Sequence, residues 1–224
     1  MLDFFNSAKN SLKDSSFSIP VSELKKRVKI VVIDDDKNSF PVSLLSKDGY
    51  TIEYWRSINE NELARLEGNS FDIIILDIKG ITKDGLSDLD GIGVLERIKR
   101  VNPAQVIIAF SGETYDIGKA SFFKLADDVV TKPIDYIRSK NLLDQIINDK
   151  LNVAYFWGIL SEILKKQGTD EKAILKIEKE IARSFREKRT FSSSEIKNLL
   201  LKGVKITPDI MSIVVKIIAL IPPS

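Results

Sequence analysis

The chain of 224 residues has no cysteine and no histidine. Without cysteine there are no disulfides, thiolate metal sites or cysteine nucleophiles, which suits a reducing compartment. Without histidine there are no imidazole general bases, no zinc sites built on imidazole and no phosphohistidine carrier. A charge excess of one sign is also missing. Lys plus Arg number 34 against 32 for Asp plus Glu, a net +2, so overall charge gives no argument for nucleic acid or an anionic membrane. The longest apolar stretch, Ile210 to Ile221, is broken by Lys216 and falls short of the roughly 20 residues that span a bilayer. The first residues, Met1-Leu2-Asp3-Phe4-Phe5-Asn6-Ser7, lack the basic start and long apolar centre of a signal peptide. The expectation is a cytoplasmic protein with no membrane span. At 43% hydrophobic the chain can bury a sizeable core, and its length suits one ordinary domain with a smaller one.

From Val28 onward apolar runs alternate with amphipathic stretches. Strands are predicted at 28–34, 50–55, 72–77, 105–110 and 128–131, with helix-like segments near 37–47, 59–67, 90–101 and 113–125 and another after Pro133. Such alternation predicts an α/β fold with a doubly wound, five-stranded parallel sheet. The runs 72–76 and 106–110 are almost wholly apolar, as strands covered on both faces are. Beyond residue 134 only helical spacing remains, through Leu142, Leu143, Ile146, Ile147, Leu151 and Ala154 and on through Phe156, Ile159, Leu160, Ile163 and Leu164. Gly168 reads as a stop, Thr169 or Asp170 as a new start, Ser192 with Glu195 as a capping box beside Phe191 and Ile196, and Thr207-Pro208 as the opening of a last helix. The predicted division is an N-terminal extension and linker over 1–26, a sheet domain over 27–147 and a small all-helical domain over 148–224. Within the extension, residues 1–13 pattern as a short amphipathic helix.

Four predicted strands end on polar groups of different kinds: Asp34 and Asp35, then Asp77, then Ser111, then Lys132-Pro133. In an open parallel sheet the carboxyl ends of the strands line one crevice. Clustered carboxylates suit Mg2+, which takes oxygen ligands and the company of phosphate. A hydroxyl and an ammonium can hold the remaining oxygens of a phosphoryl group.

Val31-Val32-Ile33-Asp34-Asp35-Asp36, Ile73-Ile74-Ile75-Leu76-Asp77-Ile78, Asp90-Gly91 before a helix ending Ile98-Lys99-Arg100, Ala109-Phe110-Ser111-Gly112 and Val129-Val130-Thr131-Lys132-Pro133 follow in that order. Together they resemble the receiver domain of two-component response regulators, which has a flavodoxin-like fold. The resemblance implies that Asp77 accepts a phosphoryl group from a sensor histidine kinase or phosphotransfer protein. It implies that Asp34, Asp35, Asp77 and the backbone carbonyl of Lys79 arrange Mg2+, with Asp35 the direct ligand of the acidic pair. Ser111 would bind a phosphoryl oxygen and Lys132 would pair with the acyl phosphate. Two features depart from the family pattern. The loop 78–89 is about six residues longer than usual, and Asp84-Gly85 offers an alternative register to Asp90-Gly91. Val129 stands where many receivers carry an aromatic residue. Lys79 and Glu113 are expected at the rim of the site.

Other readings compete. A degenerate receiver would act as an interaction module without phosphorylation. A haloacid-dehalogenase-like phosphatase would use Asp34 as nucleophile and Asp36 as acid/base, with Ser111, Lys119 or Lys124, and Asp127-Asp128. That reading leaves Asp77 and Lys132-Pro133 unexplained. A DNA-binding regulator would use the cluster Arg183, Arg186, Lys188 and Arg189; residues 151–224 carry 13 Lys plus Arg and 8 Asp plus Glu. The last helix, however, offers mainly Ser212 and Lys216 to read base edges. DNA is therefore the less favoured partner, and pairing with a second copy or another protein the more favoured. No catalytic output signature is present, and the chain is read as a signalling protein, not an enzyme.

Overall fold

A computed structural model describes residues 12, 19–83, 85–112, 120–189, 195 and 205–221. The chain divides into two compact units, one from Val21 to Asn148 and one in which the chain from Asp149 onward groups with N-terminal residues.

The first unit begins with helix α1 (Val21–Arg27), then β1 (Lys29–Ile33), α2 (Val42–Lys47), β2 (Thr51–Trp55), α3 (Glu60–Glu67), β3 (Ile73–Asp77) and α4 (Gly91–Val101). It continues with β4 (Val106–Ser111), α5 (Ala120–Leu125), β5 (Asp128–Thr131) and α6 (Tyr136–Lys150). The five strands form one sheet in the order β2-β1-β3-β4-β5, and every pairing is parallel. β1, β3 and β4 are the central strands, and every residue of β3 and β4 is buried. Side chains alternate between the two faces. Val31, Ile33, Ile74, Leu76, Ile107 and Ala109 pack with Val94, Leu95 and Ile98 of α4 on one side. Ile30, Val32, Ile73, Ile75, Ile108 and Phe110, equally buried, face the other way.

Helix α1 falls within the stretch read as linker. Its sequence VSELKKR buries only Leu24, and so short an apolar signature does not register as a helical period. Lys25 closes onto Asp48 at 3.4 Å and lies over the Tyr50 ring.

The long loop after β3 is tied down. Ile58 donates its N–H to the Ile81 carbonyl at 2.6 Å, and Lys83 donates to the Ile58 carbonyl at 3.1 Å. Ile81 and Ile58 are both fully buried in the core. The loop therefore contributes to the hydrophobic core beside the β2–α3 connection. Its register is settled by Gly91, which opens α4. A Cβ there would collide with the carbonyl oxygen of Asp77 and lie 2.8 Å from the Ile78 Cα, whereas nothing lies within 4 Å of one at Gly85. Asp84 itself lies outside the described residues.

The second unit holds α7 (Val153–Lys166), α8 (Glu171–Glu187) and α9 (Pro208–Ala219). The apolar spacing that runs through 142–164 belongs to two helices, because the chain breaks after Lys150 and Asn152 caps α7 by accepting the Tyr155 N–H at 2.8 Å. Asp170 caps α8 through the N–H groups of Lys172 and Ala173. Thr207 stands at the N-cap of α9 as expected, but its hydroxyl makes no cap bond. The capping box at Ser192 lies outside the described residues, apart from Glu195, and so does the amphipathic stretch 1–13 apart from Leu12. Leu12 is fully buried and donates its N–H to Glu178 at 3.1 Å.

Candidate functional site

Each central strand delivers one polar group to the carboxyl edge of the sheet. β1 hands over to Asp34, whose backbone is held from the β2 side: its N–H donates to the Trp55 carbonyl at 3.0 Å, and its carbonyl accepts the Tyr54 hydroxyl. β3 ends on Asp77 and β4 on Ser111, both buried. Just past β5, Lys132 donates its N–H to the Ser111 carbonyl at 2.9 Å, and its ammonium lies 5.2 Å from the centre of the Phe110 ring. The Lys132-Pro133 peptide is cis.

The side chains of Asp34, Asp77 and Lys132 meet at this edge. The Lys132 ammonium bridges two carboxylates, reaching Asp34 Oδ2 at 2.7 Å and pairing with Asp77 Oδ2. Asp77 Oδ1 accepts the N–H of Ile78 at 2.6 Å and of Lys79 at 3.3 Å. Asp34 is 0% exposed. Its Oδ1 accepts the Asp36 N–H at 2.9 Å, and its Oδ2 accepts the Ser39 hydroxyl at 2.5 Å. Asp35 is exposed, and carboxylate oxygens of Asp34, Asp35 and Asp77 lie within 4.8 Å of one another.

Burial pushes the Asp77 carboxyl above its ordinary value. The Lys132 hydrogen bond opposes this only in part, and the nearby Asp34 charge adds to the rise. Burial works against the Lys132 charge, yet its hydrogen bonds to Asp34 and Asp77 more than offset it and the ammonium is held more tightly than usual. Three carboxylates against one ammonium leave two negative charges over. A divalent cation is the natural complement, and oxygens sharing one Mg2+ lie about 3–4 Å apart, close to what the cluster presents.

Two residues that sequence reasoning did not assign to the site help build it. Ser39, 4% exposed, bonds Asp34 from a polar turn with no distinguishing spacing. Asp90 was read as opening a helix, but its carboxylate turns back to accept the N–H groups of Gly80, Ile81 at 3.1 Å and Thr82 at 2.9 Å. Its backbone sits at φ 51° and ψ −132°, a region that costs a non-glycine residue about 1–3 kcal/mol, and the three bonds offset that strain. Asp90 thereby shapes the loop that follows Asp77. Glu113, the expected partner of Lys79 at the rim, lies outside the described residues, as does Lys119. The phosphatase reading gives no role to Asp77, which shares the Lys132 ammonium with Asp34.

A parallel sheet in this order, with acidic groups and a lysine converging at its carboxyl edge beside the end of β4, is the arrangement of a receiver domain. The response regulator receiver domain model matches residues 30–146, more than half the chain, and the chain belongs to that family. It carries a response regulator receiver domain of two-component signalling, a family whose members take a phosphoryl group on aspartate with Mg2+. The transcriptional regulatory protein ZraR of Salmonella typhimurium is 25% identical over 127 residues, which cover 55% of this chain and 27% of that protein. This chain thus spans about a quarter of the length of its curated relative. Among solved structures, a two-component response regulator from Clostridium difficile is 23% identical, with 55% of this chain and 97% of that one covered and a TM-score of 0.43. NtrX from Brucella abortus is 20% identical over 70% of this chain and 34% of its own, with a TM-score of 0.44. No described helix is long and apolar enough to cross a membrane.

Proposed function

We propose that Asp77 is the phosphoacceptor of a response regulator that signals through its C-terminal helices. The observation that carries this reading is the Lys132 ammonium shared between Asp34 and Asp77 at the edge of an acidic cluster with surplus negative charge. A carboxylate oxygen of Asp77 attacks the phosphorus of a phosphohistidine on a sensor kinase or phosphotransfer protein. The new P–O bond forms as the P–N bond breaks, and the leaving imidazole keeps the electron pair and takes a proton from solvent. Asp34, Asp35, Asp77 and the Lys79 carbonyl would hold Mg2+, which supplies positive charge to the cluster and to the transferring phosphoryl oxygens. Lys132 moves from the carboxylates to a phosphoryl oxygen, and Ser111 donates to another. The chain itself carries the phosphoryl group as a signal and turns over no other substrate.

For output, a protein partner or a second copy of the chain is favoured over DNA. Arg183 is paired with Glu187 at 2.7 Å and Arg189 with Glu195 at 2.6 Å, so part of the basic cluster is already engaged. Helix α9 buries Ile210, Ile213, Val214, Lys216 and Ile217, which leaves exposed Val215 and half-buried Met211 and Ile218. That is a narrower apolar surface for self-pairing than the sequence suggested. The test of the acceptor is intact-mass measurement with a small phosphodonor and Mg2+: one phosphoryl group is expected on the wild type and none on Asp77→Asn. Equal labelling of the two proteins would overturn the assignment.

A further inference from the structure

Asp34 Oδ2 is served by two donors of different kinds. One is the Lys132 ammonium at 2.7 Å, which is shared with Asp77. A divalent cation among the carboxylates would repel that ammonium, and a phosphoryl group on Asp77 would draw it away, so either event would take the ammonium off Asp34. The other donor is the Ser39 hydroxyl at 2.5 Å, and it is fixed. Ser39 donates its N–H to the Asp36 carbonyl at 3.2 Å, while its own carbonyl accepts the Ile134 N–H at 3.2 Å. The hydroxyl lies 2.8 Å from the Asp36 carbonyl as well. It has one proton for two acceptors, and the charged oxygen makes the stronger bond.

We propose that Ser39 is a positioning residue for Asp34: its hydroxyl holds the buried carboxylate as Lys132 leaves it, and so sets how readily the acidic cluster takes a divalent cation. This rests on the reading of Asp34, Asp35 and Asp77 as the metal site. Without the hydroxyl, Asp34 Oδ2 depends on Lys132 alone. Parting a buried carboxylate from its only partner on that side is costly, so the ammonium stays and competes with the incoming cation. Hydrogen-bond partners that orient metal-ligating carboxylates commonly govern affinity in this way.

The experiment is calorimetric titration of the full chain with Mg2+ alone, comparing wild type with Ser39→Ala, alongside the melting midpoint of each in chelator. Ser39→Ala is expected to bind Mg2+ about tenfold more weakly. A purely structural hydroxyl would lower the metal-free midpoint and leave the Mg2+ dissociation constant unchanged, and that result overturns the proposal. A wild type that binds no Mg2+ would overturn the metal-site reading and this proposal with it, whereas a wild type that binds Mg2+ beside an equally tight Ser39→Ala would sink the Ser39 role alone.

Discussion

Replacing Lys132 with Met keeps most of the side chain's apolar volume and removes the charge that bridges Asp34 and Asp77. Breaking a fully buried ion pair by deleting one partner costs about 3–5 kcal/mol. Here Asp34 is fully buried, but the Lys132 side chain is 15% exposed and water reaches part of the pair, so a loss of about 2–3 kcal/mol is expected. The loss depends on pH with a definite sign. Asp77 already has a folded pKa above its ordinary 3.8, so its ionisation destabilises the metal-free fold as pH rises between the two values. Removing Lys132 takes away the group that pulls Asp77 down. The deficit carried by Asp77 is therefore full above its raised pKa and disappears as pH falls to its unfolded value. Saturating Mg2+ supplies the missing positive charge and should shrink the deficit to about 1 kcal/mol or less. Native-state hydrogen exchange at the amides of β1, β3 and β4 reads this unit by itself. A deficit at neutral pH that is the same with and without Mg2+, and unchanged in acid, would refute the electrostatic account of Lys132.

Three further substitutions test how the loop and helix frame Asp77. Gly91→Ala forces a methyl group against the Asp77 carbonyl and should cost about 2–3 kcal/mol through overpacking; Gly85→Ala, with open space at φ +70°, should cost about 1 kcal/mol from backbone strain alone, and equal losses in urea unfolding would contradict the packing argument. Asp90→Asn keeps one oxygen for the three N–H groups of Gly80, Ile81 and Thr82 and turns an amide donor toward the others, so it should cost about 1–3 kcal/mol. Amide exchange should speed up at residues 80–82, and unchanged protection there would show that the carboxylate does not hold the loop.

The central strands were legible because β3 and β4 are buried on both faces, which turns their sequence into unbroken apolar runs ended by a polar residue. Those endings also made Asp34, Asp77, Ser111 and Lys132 visible as a group, since strand ends in a parallel sheet share one edge. Helix α1 was hidden because it docks through Leu24 alone, its remaining hold being polar, such as the ion pair of Lys25 with Asp48. The break between α6 and α7 was masked by apolar spacing that runs on through Leu151 and Val153, both buried on either side of the capping Asn152. Ser39 and the carboxylate of Asp90 act through tertiary hydrogen bonds, and a single sequence carries no periodic trace of those. The apolar stretch 210–221 is largely accounted for within the fold, because α9 buries Ile210, Ile213, Val214 and Ile217 with Lys216 beside the Phe156 ring, more than one narrow stripe.

The central claim is that Asp77 forms the acyl phosphate, and trapping that bond by borohydride tests it most directly. Reduction converts an aspartyl phosphate to homoserine at the residue that carried it, and peptide mass spectrometry locates the change. After incubation with phosphodonor and Mg2+, the account predicts homoserine at position 77 alone, and none when the metal is chelated. Homoserine at position 34 or 35, or none anywhere in protein shown to have bound Mg2+, would contradict it.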